Sequence, residues 1–302
     1  MRMRRPGGGV VGSLMLAAAC WGFATVMSKA ALAHVPPLTL LVVQLAGSVV
    51  FLWAIVALQR VRVRLDKTTA QLGLIGVLNP GIAYTFSLLG LALTTASMST
   101  LIWITEPILI LALAWLLLAE RLRPPLLAFS ALAVVGVVLV AGLDASAHSG
   151  GSPLGNGLIL AGVLCCALYT ILTRRTAARI DPLVVAALQQ TAAFAWAVLI
   201  WPIELFHAGD HAAISPGTWA WAVVAGVLYY ALAFWFYING LKRAPASLAG
   251  LFLNLIPIFG VSGAYVFLGE RLAPAQWAGA IMILASVAGI VCWPSAEAVP
   301  AS

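Results

Sequence analysis

The chain has 302 residues, of which 63% are apolar and only 8% charged, against roughly a quarter charged in an ordinary soluble domain. That excludes a soluble globular protein and fits about ten bilayer spans of about 20 residues each. The net charge of +7 does not point to nucleic acid, because the basic residues fall in short clusters between apolar runs, where they set membrane orientation.

Apolar runs bounded by charge clusters and Pro or Gly breaks predict helices over 11–32, 38–59, 70–91, 96–118 and 125–142, then over 154–175, 182–203, 217–241, 246–268 and 274–293. The expected class is an all-α integral membrane protein. The first run follows Arg2, Arg4 and Arg5 and reaches Ala31-Leu32-Ala33, the outline of a cleavable signal. Its apolar core is longer than a signal's, and the repeat described below needs it retained. Cys20, Cys165, Cys166 and Cys292 lie in apolar runs without a Cys-x-x-Cys pair, so neither a disulfide framework nor a zinc site is suggested.

Counted on alternate sides of these spans, 14 of the 16 Lys and Arg residues fall together, leaving only Lys29 and Arg271 opposite. The positive-inside rule then puts both termini in the cytoplasm.

The sequence also repeats. Gly90-Leu91, Ala96-Ser97, Pro107, Glu120-Arg121-Leu122 and Pro124 recur 150 residues later as Gly240-Leu241, Ala246-Ser247, Pro257, Glu270-Arg271-Leu272 and Pro274. Earlier in each half the offset is 145, where Pro37-Leu38 and Gln44 match Pro182-Leu183 and Gln189. Five spans per half is an odd number, so the second half enters the membrane upside down. The expected organisation is a cytoplasmic tail 1–10, a first repeat 11–142, an external connection 143–153, a second repeat 154–293 and a cytoplasmic tail 294–302.

These features resemble the EamA-type branch of the drug/metabolite transporter superfamily. The resemblance covers nearly the whole chain and rests on the ten spans, the doubled five-helix unit, Trp21-Gly22 early in the first span, and the Glu-Arg-Leu sequences that close the fourth span of each half. It implies ten transmembrane helices as two inverted five-helix repeats in a bacterial cytoplasmic (inner) membrane. It also implies export of small metabolites by alternating access, through a central cavity lined mainly by the first, third and fourth spans of each half. Exporters of aromatic and hydrophobic amino acids are the members nearest in character.

Polar and helix-breaking residues are expensive at mid-membrane, so they mark candidate sites. Pro80, Pro107 and Pro257 sit deep in spans, each removing a backbone donor. They read as repaired kinks or as hinges, with Pro107 and Pro257 facing each other across a pseudo-twofold axis. Glu106 is the only carboxylate near the middle of a span. It reads as a contact for a substrate ammonium, as a proton site, or as a side chain that stabilises the Pro107 kink. Ser99, Trp103 and Glu106 share one helical face, and Asn254 lies near the repeat-equivalent of Trp103. Asn79 beside Pro80, and Tyr84, Tyr169 and Tyr230, complete the candidate substrate-binding set. Glu120 and Glu270 are expected to cap or pair locally.

No mid-membrane cation is present in the sequence to hold a phosphate. Paired deep carboxylates, a His cluster, a phosphate loop and a nucleotide-binding motif are likewise missing from it. The reading is therefore a transporter and not an enzyme, with no catalytic residue, cofactor or metal. Its partners are the lipid bilayer and a small neutral or zwitterionic solute, with protons a further candidate and no sequence signal for oligomeric state. A drug or nucleobase-like exporter and a membrane sensor or scaffold on the same fold are the alternatives.

The charge count predicts that Ser149→Cys, on a background without native cysteines, reacts with an impermeant thiol reagent in intact cells. Protection at 149 together with labelling in the 60–69 loop reverses the orientation.

Overall fold

The computed structural model describes residues 8–63, 66–93, 102–103, 105–141, 152–176, 180–205, 214–268 and 274–292. Ten helices are present among them. The first half contains α1 (Gly8–Leu32), α2 (Pro37–Leu58), α3 (Lys67–Gly76, a π-helical segment Val77–Ile82, then Ala83–Leu93), α4 (Glu106–Leu118, preceded by helical residues 102–103) and α5 (Pro124–Ala141). The second contains α6 (Pro153–Thr176), α7 (Pro182–Leu205), α8 (Pro216–Gly226, a π-helical segment Val227–Leu232, then Ala233–Leu241), α9 (Ala246–Leu253, then Ile256–Leu268) and α10 (Pro274–Cys292). Proline opens α2, α5, α6, α7, α8 and α10, where its fixed φ suits the first turn and its missing N–H costs nothing. The spans expected from sequence are therefore present with ends shifted by a few residues, and the start of the fourth lies outside the described residues.

By length and composition, six helices are apolar enough to cross a membrane, and four shorter apolar ones complete the set. Large apolar side chains such as Val50, Trp115, Leu116 and Leu199 stand outward, each more than 60% exposed. Such a belt belongs in lipid, not in water.

The halves interleave instead of lying side by side. α1 packs on α8 and α9, while its counterpart α6 packs on α3 and α4; α2 packs on α7 and α8, while α7 packs on α2 and α3. The remaining counterpart pairs, α4 with α9 and α5 with α10, pack on each other. Exchanging the halves reproduces this pattern, as an inverted repeat about a pseudo-twofold axis requires. The offset of 150 is visible in the helix limits, since Glu106–Leu118 and Ile256–Leu268 correspond residue for residue, as do the starts of the π-helical segments at Val77 and Val227.

Glycine permits the closest crossings, where backbones meet without a side chain between them. A Cβ on Gly76 of α3 would lie 2.0 Å from the carbonyl oxygen of Gln189 on α7, and one on Gly226 of α8 would lie 2.4 Å from that of Gln44 on α2. These are equivalent contacts in the two halves. Replacing Gly76 or Gly226 with Ala is expected to destabilise the purified protein by about 1–3 kcal/mol or more, because backbone must move. Gly157→Ala, with nothing within 4 Å of the added carbon, serves as the control, and thermal melting makes the comparison. Wild-type melting of Gly76→Ala contradicts the crossing.

Candidate functional site

The site begins with two helix breaks. Pro107 cannot donate a backbone hydrogen bond, and in α4 the regular helix restarts at Glu106 with the proline in its first turn. Ahead of it, the Thr105 amide and hydroxyl both donate to the Ile102 carbonyl, at 3.0 and 2.6 Å. In α9 the break falls at Asn254 and Leu255, before Pro257. The Asn254 amide nitrogen Nδ2 and backbone N–H both donate to the Leu251 carbonyl, at 3.1 and 3.2 Å. A third break lies in α3, where Asn79 is extended at φ −148° and ψ 122° ahead of Pro80, inside the π-helical segment.

These breaks border a cavity of about 330 Å³ in the middle of the bundle, a size suited to one small solute. Among the residues expected from sequence, Asn79, Tyr84, Trp103, Glu106, Tyr169 and Asn254 line it, as do Pro107 and Pro257. Tyr230 and Pro80 do not line it; both are buried behind it. The Tyr230 ring packs 4.9 Å from Tyr229, 5.6 Å from Tyr84 and 6.4 Å from Phe234. Its displacement has a local cause. The wider turn of the π-helical segment Val227–Leu232 shifts the residues that face inward, so Tyr229 lines the cavity in its place. Ser99 lies outside the described residues.

Sequence reasoning missed Thr25, Cys166, Thr170, Tyr229, Phe234 and Ile256, which also line the cavity, as does Leu253, whose carbonyl Pro257 leaves without its usual partner. The repeat held the signal for most of them. At an offset of 150, Asn79, Tyr84, Trp103, Glu106 and Pro107 map onto Tyr229, Phe234, Leu253, Ile256 and Pro257; at 145, Trp21 and Thr25 map onto Cys166 and Thr170. The cavity thus sits on the pseudo-twofold axis in shape. In chemistry it is lopsided, because the first half supplies Trp21, Asn79 and Glu106 where the second supplies Cys166, Tyr229 and Ile256.

Most tyrosine hydroxyls of the lining are already paired. Tyr84 bonds Tyr229 at 2.8 Å, Tyr169 donates to the Gln189 side-chain oxygen at 2.8 Å, and Tyr237 shares a 3.2 Å bond with Thr170. What these residues offer a solute is chiefly ring face. Tyr84 lies 5.6 Å from Tyr229 and 6.3 Å from Trp103, while Trp21 lies 5.3 Å from both Phe234 and Tyr237. Two other lining atoms are buried without any partner among the described residues, the acceptor Asn79 Oδ1 and the donor Trp21 Nε1. Orphaned buried polar atoms are costly, and two of the residues that carry them, Asn79 and Trp21, belong to the lining, whereas Ser48, Arg174 and Gln190 carry others outside it. The Glu106 carboxylate likewise has no hydrogen bond or ion pair with a described residue.

Comparison with known proteins agrees with this architecture. The EamA-like transporter family matches residues 9–142 and again 153–292. The chain belongs to the EamA-like transporter family. It is a multi-pass membrane protein with two EamA repeats, from a transporter family and not an enzyme family. It is 27% identical over 274 residues to the uncharacterized transporter YvbV of Bacillus subtilis, covering 88% of this chain and 86% of that one. It is 28% identical over 208 residues to the uncharacterized transporter YetK of the same organism, a match that spans 66% of this chain and 61% of that relative. A solved crystal structure superposes with a TM-score of 0.78 over 93% of this chain and 98% of its own, at 21% identity. That likeness is one of fold.

The EamA fold also gives Glu120 a role beyond the local cap expected of it. Ala119 ends α4 in the left-handed conformation at φ 51°, and the chain turns so that Glu120 reaches the other half. Its carboxylate accepts from the Ala246 and Ser247 amides at 2.8 and 3.2 Å and from the Ser247 hydroxyl at 2.6 Å, capping α9. At the opposite end of the bundle Glu204 of α7 does the same for α2, accepting from the Leu38 and Thr39 amides at 2.9 and 2.8 Å and from the Thr39 hydroxyl at 2.9 Å. Each carboxylate satisfies helix N-terminal donors across the two halves. Glu270-Arg271-Leu272 lies outside the described residues.

Proposed function

We propose that this protein exports small, partly apolar metabolites that carry an ammonium group across the bacterial inner membrane, with both termini in the cytoplasm. Aromatic and hydrophobic amino acids belong to that class. The solute occupies the central cavity, and the two halves present it to one side and then the other.

The observation that carries this reading is the set of unpaired polar groups on the pseudo-twofold axis. Asn79 Oδ1, Trp21 Nε1 and the Glu106 carboxylate have no partner among the described residues, and all three residues line the one cavity. In a membrane interior such groups are retained where they serve a ligand or an ion. The aromatic walls supply apolar contact, and the breaks at Pro107 and Pro257 supply hinges within the helices that form the wall. Glu106 acts as the ammonium contact, and the first half as a whole as the polar end of the site.

Vesicles containing purified protein test this by counterflow of labelled phenylalanine or tryptophan. Trp103→Ala is expected to lower the exchange rate by about tenfold, as loss of a buried aromatic contact does, while the melting transition stays near that of the wild type. Glu106→Gln is expected to weaken exchange at equal pH on the two sides. A Trp103→Ala protein that loses its melting transition assigns the residue to packing. Strong accumulation found only under a pH gradient, and lost in Glu106→Gln with exchange intact, assigns Glu106 to proton coupling instead.

A further inference from the structure

This inference rests on the cavity being the binding site and concerns which ammonium compounds it takes. Among the described residues that line it, Glu106 is the one carboxylic acid, and no Lys, Arg or His accompanies it. A bound amino acid places its ammonium against Glu106, and its own carboxylate, one carbon away, then lies near a like charge in a low-dielectric space. The two threonine hydroxyls of the lining are already engaged. Thr25 donates its hydroxyl to the Trp21 carbonyl at 2.8 Å, and the Thr170 hydroxyl is bonded to Tyr237. Among the lining's fully buried atoms without a partner, Trp21 Nε1 is the one donor.

An ammonium group meets the opposite situation. Glu106 supplies a counter-charge, Asn79 Oδ1 an acceptor without a partner, and the rings of Trp21, Tyr84, Trp103 and Tyr229 supply faces that attract cations. The lining also includes Ile256, Phe234 and Leu253 from the second half, suited to a solute's apolar body. We infer that the cavity selects small organic ammonium cations with an aromatic or apolar body and no carboxylate, binding an amine in preference to the amino acid of the same skeleton.

One residue requires its own control. Lys29 is one turn beyond Thr25 on α1, about 6 Å along the axis, and its side chain lies outside the described residues. It is the nearest candidate on α1 for holding a solute carboxylate.

Calorimetry on the full-length purified protein, with phenethylamine, phenylalanine, phenylalanine methyl ester and 3-phenylpropionate as probes, tests the inference. Phenethylamine and the ester are expected to bind at least about tenfold more tightly than phenylalanine, with phenylpropionate weakest, as a single buried counter-charge dictates. Glu106→Gln should remove most of this difference by weakening the two cations, and Glu106→Asp, with its melting transition checked, should restore part of it. Lys29→Met should leave the order unchanged. Phenylalanine binding as tightly as phenethylamine overturns the selectivity, as does a loss of phenylalanine affinity in Lys29→Met. If all probes fail to bind, or binding ignores both Trp103→Ala and Glu106→Gln, the cavity itself is not the site and the selectivity falls with it.

Discussion

A bilayer interior offers no water to a polar atom, so every backbone and side-chain group at that depth must find its partner within the protein. In this chain neither half satisfies its helix ends and crossings alone. The N-terminal amides of α9 are capped by Glu120 from the first half, and those of α2 by Glu204 from the second. Gly76 and Gly226 let backbones from opposite halves meet where any side chain would hold them apart. Interleaving is the consequence, with α1 on α8 and α9 and α6 on α3 and α4.

The same constraint makes the exceptions informative. Helices, caps and tyrosine pairs use most of the buried donors and acceptors; of the residues that keep an orphaned atom, Asn79 and Trp21 line one cavity with the unpaired Glu106, while Ser48, Arg174 and Gln190 lie outside it. The helix breaks explain how these groups come to be there. Restarting α4 at Glu106 places an acidic residue in a first turn, where the helix dipole favours negative charge. The extended backbone at Asn79 interrupts α3 where its side chain reaches the cavity. The second half keeps the break before Pro257 and the π-helical segment, without the extended residue of α3, and has Ile256 where the first half has Glu106, so one scaffold used twice gives a site whose two halves differ in chemistry.

Much of this was legible in the residues themselves. Charge clusters and apolar runs marked the helices, and the recurrence of Pro107 as Pro257 marked the matched breaks. Trp103, Glu106 and Asn254 were recognisable because a carboxylate, a proline and an amide are conspicuous in apolar runs. The register of α8 was not legible. Its π-helical segment contains no proline, and a 3.6-residue period carried through it points to Tyr230 where Tyr229 lines the cavity. Nor was the reach of Glu120 legible, because a carboxylate beside an arginine at a helix end looks like a local pair. Its partners are 126 and 127 residues away, and only the inverted packing of α4 against α9 brings them within reach.

The central claim is that a transported solute occupies this cavity, and Cys166 allows a direct test because its thiol is native and belongs to the lining. With Cys20, Cys165 and Cys292 replaced by Ala, the rate at which a small thiol reagent modifies Cys166 is to be measured with and without a saturating transported solute. The account predicts that the solute slows modification by about tenfold, as occupancy of the cavity that the thiol lines does, and that the protection is lost in Glu106→Gln. An unchanged labelling rate, in a protein that still transports the solute, places the solute's path elsewhere.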